Sequence, residues 1–258
     1  MSSHADLRRA HENGPYLGTH IVGTDTLFTE VAGRVGYDYL WIDTEHAPLD
    51  RAQVVAHLVA ARASGITAFV RIGENDPTLA KPFLDAGADG IIFPMITSAA
   101  DAQRAVDSCL YPPAGSRGFG PVRALAVAEV DAAAFLSQTH ADVLRLIQIE
   151  TRGAVDELDA ILDLPGVDIA VLGPADLSFA FGKPLQYTDP EMIELFRHIA
   201  ERAHVHGKPA LMSSPPFDSD SLRFWRDLGY DLVTVGGDVS FAVGAAQLTR
   251  AAFDALPH

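Results

Sequence analysis

The residues best able to do chemistry sit in short clusters, each closing an apolar run. Asp43, Thr44, Glu45 and His46 follow one run, Arg71 ends a second, Gln148 and Glu150 close a third, and Gly173-Pro174-Ala175-Asp176 follows a fourth. Glu150 and Asp176 are carboxylates with no Cys or His beside them, a donor set suited to a hard divalent cation such as Mg²⁺ or Mn²⁺. Two protein ligands would leave octahedral positions for water and a chelating 2-oxo acid, whose keto group the metal would polarise toward an enolate. Arg71 is the natural partner for the enolate oxygen or the carboxylate, because its planar fork stays charged and donates to both. His46 has the pKa range of a general acid/base at neutral pH. His20 is set apart from the remaining histidines by its place in the first apolar run, where it could point inward. The three lysines, Lys81, Lys183 and Lys208, read as helix, loop and pre-strand residues. None closes an apolar run where a Schiff base could form, so the chemistry is expected to use metal rather than imine. The plainer alternative is that Glu150 and Asp176 cap helices and Arg71 forms a rim ion pair.

Positioning these groups together requires a scaffold that ends many strands at one place. The apolar runs are Gly18–Val22, Tyr39–Asp43, Ala68–Ile72, Gly90–Met95, Leu144–Ile149, Ile169–Leu172, Pro209–Met212 and Leu232–Val235. Near-continuous apolar strands indicate a parallel sheet covered on both faces. Helical patterns separate them. Arg51–Ser64 has Asp50 as N-cap and Gly65 as C-cap, and Pro77 follows Asp76 as at a first helical turn. Ser98–Ser108, Ala154–Asp163, Pro190–His206, Phe217–Leu228 and Val239–Ala255 complete the helical set. Strands alternating with helices over 258 residues predict one (β/α)₈ TIM-barrel domain spanning 1–258, with chemistry at the C-terminal strand ends. A doubly wound sheet is the competitor, but no Gly-rich fingerprint follows the first strand. Gly115, Gly118 and Gly120 belong to a loop.

Composition bounds the partners. Asp+Glu is 34 against 19 Lys+Arg, a net charge of −15, and such a surface disfavours nucleic acid and anionic membrane. The single cysteine, Cys109, excludes an intrachain disulfide and a cysteine-rich zinc site. The first residues carry no apolar signal core, and no run is long enough to span a bilayer, so a cytoplasmic protein is expected.

Several segments together resemble one family. They are Trp41-Ile42-Asp43-Thr44-Glu45-His46-Ala47-Pro48, Asn75-Asp76-Pro77, Leu84-Asp85-Ala86-Gly87-Ala88, the Tyr111–Gly118 loop, Gln148-Ile149-Glu150-Thr151 and Leu172-Gly173-Pro174-Ala175-Asp176-Leu177-Ser178. In order and along the whole chain, they are similar to the HpcH/HpaI aldolases, class II enzymes that cleave 4-hydroxy-2-oxo acids to pyruvate and an aldehyde. The resemblance implies a divalent metal (Mg²⁺, Mn²⁺ or Co²⁺) on Glu150 and Asp176. It implies His46 as acid/base at the C4 hydroxyl, Arg71 as transition-state stabiliser, and Gln148 with the Gly173-Pro174-Ala175 backbone around the pyruvyl group. It assigns Asp85 as the support of His46, whereas spacing alone favours Asp43. It also implies an N-terminal helix and a homohexamer with exchanged C-terminal helices. The chain departs from the family pattern at Ile72-Gly73-Glu74, Arg123–Ala128 and Ser213-Ser214-Pro215-Pro216, segments that would border the aldehyde end of the pocket. The runner-up is a citrate-lyase-like lyase acting on an acyl-CoA, for which so few lysines offer little phosphate binding. A third reading, a non-catalytic barrel used for binding or assembly, would predict erosion of the Glu/Asp/His/Arg set, which is complete.

Overall fold

The computed structural model describes residues 3–128, 130–214 and 218–256. Eight parallel strands close into a barrel in sequence order: β1 (Tyr16–Ile21), β2 (Tyr39–Asp43), β3 (Thr67–Arg71), β4 (Gly90–Phe93), β5 (Leu144–Ile149), β6 (Ile169–Leu172), β7 (Ala210–Ser214) and β8 (Leu232–Gly237). The chain is thus a (β/α)₈ barrel.

Successive strand side chains alternate between two apolar environments, which is why the runs read as continuously hydrophobic. One set, including Leu40, Ile42, Val70, Ile147, Leu172 and Met212, faces the helices. The other fills the barrel interior: Tyr39 and Trp41 from β2, Phe69, Ile92, Leu144 and Leu146, Ile169 and Val171, Leu211 and Leu232. Leu7 and Ala10, from the N-terminal helices His4–Arg8 and Ala10–Asn13, join this interior set. They close the N-terminal end of the barrel, where Arg8 binds Asp168 just before β6 at 2.8 Å. Gly18 is required inside: a Cβ there would lie 2.2 Å from the Tyr39 ring.

Arg51–Ser64 has the expected ends. Asp50 forms a capping box with Gln53, and Gly65 takes the left-handed conformation at φ 70°. Asp76 caps the helix Pro77–Ala86, and Ser98 caps Ala99–Cys109. Other boundaries differ. The expected helix Ala154–Asp163 is two, Arg152–Asp156 and Leu158–Leu162. The break falls at Glu157, whose backbone leaves helical geometry while its carboxylate accepts the N–H of Ala99 at 2.8 Å. Helix Leu27–Val35 was not expected, because Gly33 interrupts its pattern; it starts after Thr26, which makes no side-chain cap. Gly33 is there for close packing, since its Cβ would meet the Ser64 side chain at 2.7 Å. The strand expected over Gly90–Met95 ends at Phe93, and Met95 turns into the left-handed region at φ 53°. The expected start of a helix at Phe217, and Pro215-Pro216, lie outside the described residues; the helix observed there is Ser219–Asp227, capped by Asp218. The last helix, Asp238–Asp254, has no buried residue and leaves Val239, Val243, Leu248 and Phe253 exposed. No helix among the described residues is long and apolar enough to cross a membrane.

Candidate active site

Five interior rows of the barrel gain a polar or glycine position one step above their last apolar residue. Above Trp41 comes Asp43, above Phe69 comes Arg71, above Leu146 comes Gln148, above Val171 comes Gly173, and above Leu211 comes Ser213. Period-two alternation therefore aims these positions at the same axial space. They line a cavity of about 560 Å³ together with His20, His46, Pro174, Ala175 and Asp176.

Asp43 and Arg71 form a two-pronged pair, Nε to Oδ1 at 2.9 Å and Nη2 to Oδ2 at 2.7 Å. Glu45 lies on the other side, 3.0 Å from Nη1. Burial raises the Asp43 carboxyl, but Arg71 and the N–H groups of Glu45 and His46 outweigh it and hold the group below its ordinary value. Arg71 shows the converse: burial lowers it, and Asp43, Glu45 and Glu150 outweigh that effect. A guanidinium has five N–H donors, and Asp43 engages two of them, while Glu45 Oε2 makes an ion pair without a hydrogen bond. The other N–H groups are left for a ligand.

His46 is the exposed member, with 66% of its side chain accessible and Nε2 at 3.7 Å from Glu45. Neither aspartate named from the sequence as its support meets its ring within the described chain. Asp43 is committed to Arg71 and accepts only the backbone N–H of His46, at 3.4 Å. Asp85 lies on Pro77–Ala86 and is held by Arg117 at 2.7 Å. Neither commitment is visible in the sequence, since Arg71 and Arg117 are distant in the chain from the acids they bind.

Glu150, just after β5, is 2% exposed. One oxygen accepts the N–H of Met95 at 2.6 Å and the other accepts Gln148 Nε2 at 2.5 Å. Met95 was missed from sequence, and its left-handed backbone is a local strain of the kind found at functional sites. Gly173 is demanded by closeness, because a Cβ there would fall 2.3 Å from Glu150 Oε2 and 2.9 Å from Gln148 Nε2. Gln148 Oε1 is buried without a partner. Asp176 sits in the first turn of Pro174–Ala180, so neither acid is the N-cap residue of its helix.

The residues present fit a hard cation. Burial first, then the charges of Asp176 and Glu45, lift the Glu150 carboxyl to about 7 despite the Met95 N–H. Negative charge is thus under-compensated there, and the donors are all oxygen. No group of three or more His, Cys, Asp or Glu disposed for a metal occurs among the described residues. The residues that would hold such a cation are Glu150 and Asp176.

A stability prediction follows for metal-free protein. An unfolded glutamate titrates near 4.5 and the folded one near 7. Below 4.5 the group is neutral in both states and costs nothing. Between 4.5 and 7 the folded state holds an extra proton and loses stability as pH rises. Above 7 the full cost is present, on the order of 3 kcal/mol. Glu150→Gln should therefore raise the melting temperature of chelator-treated protein at pH 8 and not at pH 4.5. Equal melting shifts at both pH values would refute the burden assigned to Glu150.

The chain is similar to known proteins along most of its length. The 5-keto-4-deoxy-D-glucarate aldolase of Enterobacter sp. (strain 638) is 36% identical over 220 residues, 85% of this chain and 84% of that protein. An HpcH/HpaI aldolase/citrate lyase family protein from Burkholderia cenocepacia J2315 superposes with a TM-score of 0.89 at 28% identity, covering 98% of this chain and 100% of the other. The HpcH/HpaI aldolase of Desulfitobacterium hafniense DCB-2 gives a TM-score of 0.91 at 25% identity, over 100% and 98% of the two chains. The HpcH/HpaI aldolase/citrate lyase family pattern itself spans residues 17–245. The chain belongs to the HpcH/HpaI aldolase/citrate lyase family and is an enzyme of the aldolase and lyase class.

Proposed function

We propose that this enzyme is a divalent-metal-dependent aldolase that reversibly cleaves 4-hydroxy-2-oxo acids to pyruvate, or an analogue such as hydroxypyruvate, and an aldehyde. The observation that carries the reading is one cavity lined by Asp176, Arg71 and Gln148 and by no lysine, with the buried Glu150 bound to Gln148 beside it. The substrate of the Enterobacter relative, counted from its keto end, is itself a 4-hydroxy-2-oxo acid.

A divalent cation on Glu150 and Asp176 would supply Lewis acidity to the keto oxygen. Arg71 donates to that oxygen as it gains charge. Gln148 and the backbone from Gly173 through Pro174 to Ala175 hold the pyruvyl end. His46 accepts the proton of the C4 hydroxyl, directly or through water. As that proton leaves, C4 becomes a carbonyl, the C3–C4 bond breaks, and its electron pair passes into the enolate of pyruvate. Protonation at C3 completes the cleavage. Asp43 positions Arg71. Asp85 remains the family-implied support of His46, and in the single chain it is occupied by Arg117.

The homohexamer with exchanged C-terminal helices belongs to the same proposal. It would cover Val243, Leu248 and Phe253, which are exposed in the single chain.

The test is synthesis: pyruvate or hydroxypyruvate with a panel of aldehydes, followed by detection of the 4-hydroxy-2-oxo acid. Product should form without borohydride-trappable protein. A borohydride adduct on Lys81, Lys183 or Lys208 would refute the metal route, and absence of product from every aldehyde would refute the aldolase reading.

A further inference from the structure

The side of the cavity away from Glu150 is built by β7, β8 and β1, and its chemistry is set by one histidine. His20 Nδ1 lies 2.8 Å from the carbonyl oxygen of Gly236, and Nε2 lies 2.9 Å from Ser213 Oγ. A carbonyl oxygen only accepts, so Nδ1 carries a proton. Burial lowers the His20 pKa, with the Arg71 charge acting the same way and outweighing the Gly236 bond, so the ring is neutral. Nε2 is then an acceptor and the Ser213 hydroxyl donates its only proton to it. The ring is also fixed by Trp41, whose centroid lies 5.4 Å away. Gly237 allows the reach from β1 to β7 past β8, since a Cβ there would already stand 3.1 Å from the His20 Cβ.

Ser213 Oγ therefore keeps only lone pairs for a ligand. Such an oxygen receives a hydroxyl proton and repels a carboxylate. The surroundings agree. Arg71 is the only Lys or Arg among the described residues lining the cavity, and Asp43 and Glu45 already bracket it. Asp238, whose carboxylate binds the N–H of Gly23 at 2.8 Å, adds negative charge beside β1 and β8.

The geometry points to Ser213, oriented by His20, as the specificity residue for the aldehyde half of the reaction, selecting a neutral aldehyde that carries a hydroxyl over one ending in a carboxylate. This rests on the aldolase reading and refines its substrate class. Ser213 is the contacting residue and His20 the positioning one.

The experiment compares kcat/KM at saturating pyruvate for three acceptors. Glycolaldehyde and propanal have the same number of heavy atoms and differ by hydroxyl against methyl; succinic semialdehyde carries the carboxylate. Comparing ratios between variants cancels the differing hydration of the aldehydes. Ser213→Ala should lower the glycolaldehyde-to-propanal ratio by about 10-fold or more, because a hydrogen-bonding site discriminates strongly against an analogue lacking the group. His20→Phe keeps a ring beside Trp41 but frees the Ser213 proton to donate. It should raise the ratio of succinic semialdehyde to glycolaldehyde by about 10-fold. Exchange of pyruvate methyl protons in heavy water reports whether each variant is folded and binds the donor. If one variant has lost exchange, the other carries the test. Wild-type ratios in an exchanging variant overturn the assignment of Ser213 and His20. Wild-type protein that turns over none of the three aldehydes fails at the aldolase reading instead.

Discussion

Arg71→Ala is expected to lower retro-aldol cleavage and pyruvate methyl exchange together, each by about 10³-fold. In the proposed reaction the common step is formation of the enolate, and the N–H groups that Asp43 does not engage would meet its oxygen. Arg71→Lys should rescue poorly, because an ammonium cannot hold both Asp43 oxygens and the ligand in one plane. His46→Ala provides the contrast. It should lose cleavage by about 10²–10⁴-fold, since the C4 hydroxyl loses its proton acceptor. Exchange should suffer less, because it involves no C4 hydroxyl and water can serve as base. Coupled pyruvate detection measures cleavage, and NMR in heavy water measures exchange. Removing Arg71 leaves Asp43 buried without its partner, so circular dichroism must accompany the assay. A folded Arg71→Ala enzyme that exchanges at the wild-type rate would place enolate stabilisation elsewhere.

Removing the metal should reduce cleavage to the uncatalysed background, and Mg²⁺, Mn²⁺ or Co²⁺ should restore it. The expectation rests on the local charge. Glu150 is buried, with the charges of Asp176 and Glu45 acting on it, and a carboxyl lifted to about 7 still holds a proton for much of the time near neutral pH without a cation. Metal binding should therefore release protons near neutral pH, in an amount that falls as pH rises well above 7. Calorimetric titration of chelator-treated protein with Mn²⁺ in buffers of differing ionisation enthalpy measures that release. Full cleavage after exhaustive chelation would remove Glu150 and Asp176 from the role of ligands.

The barrel was legible because its strands are apolar toward both interior and helices, leaving little ambiguity between strand and loop. The strand-end reading worked for a related reason. Asp43, Arg71, Gln148 and Gly173 continue interior rows whose lower members are large and apolar, so a polar residue or glycine breaks the pattern visibly. Pairings were not legible. That Asp43 binds Arg71, Asp85 binds Arg117 and Glu45 completes the bracket depends on which strands and loops become neighbours. The Ser213–His20 contact is the extreme case: it crosses β8, and only barrel closure brings β1 and β7 that near. Helix Leu27–Val35 escaped because Gly33 interrupts its pattern, and the break at Glu157 because a glutamate inside a helical pattern carries no sign of leaving it.

The first helices and the start of the last helix meet opposite ends of the barrel. Leu7 and Ala10 stopper the strands' N-terminal end, whereas Val239, Ser240 and Val243 of the last helix help wall the cavity. An affinity handle or a covalent linkage to a solid support therefore has a preferred side. Attached ahead of Ser3, it hangs from the sealed base and leaves the mouth open to solution. Attached behind the last helix, it follows a segment whose first turns wall the cavity.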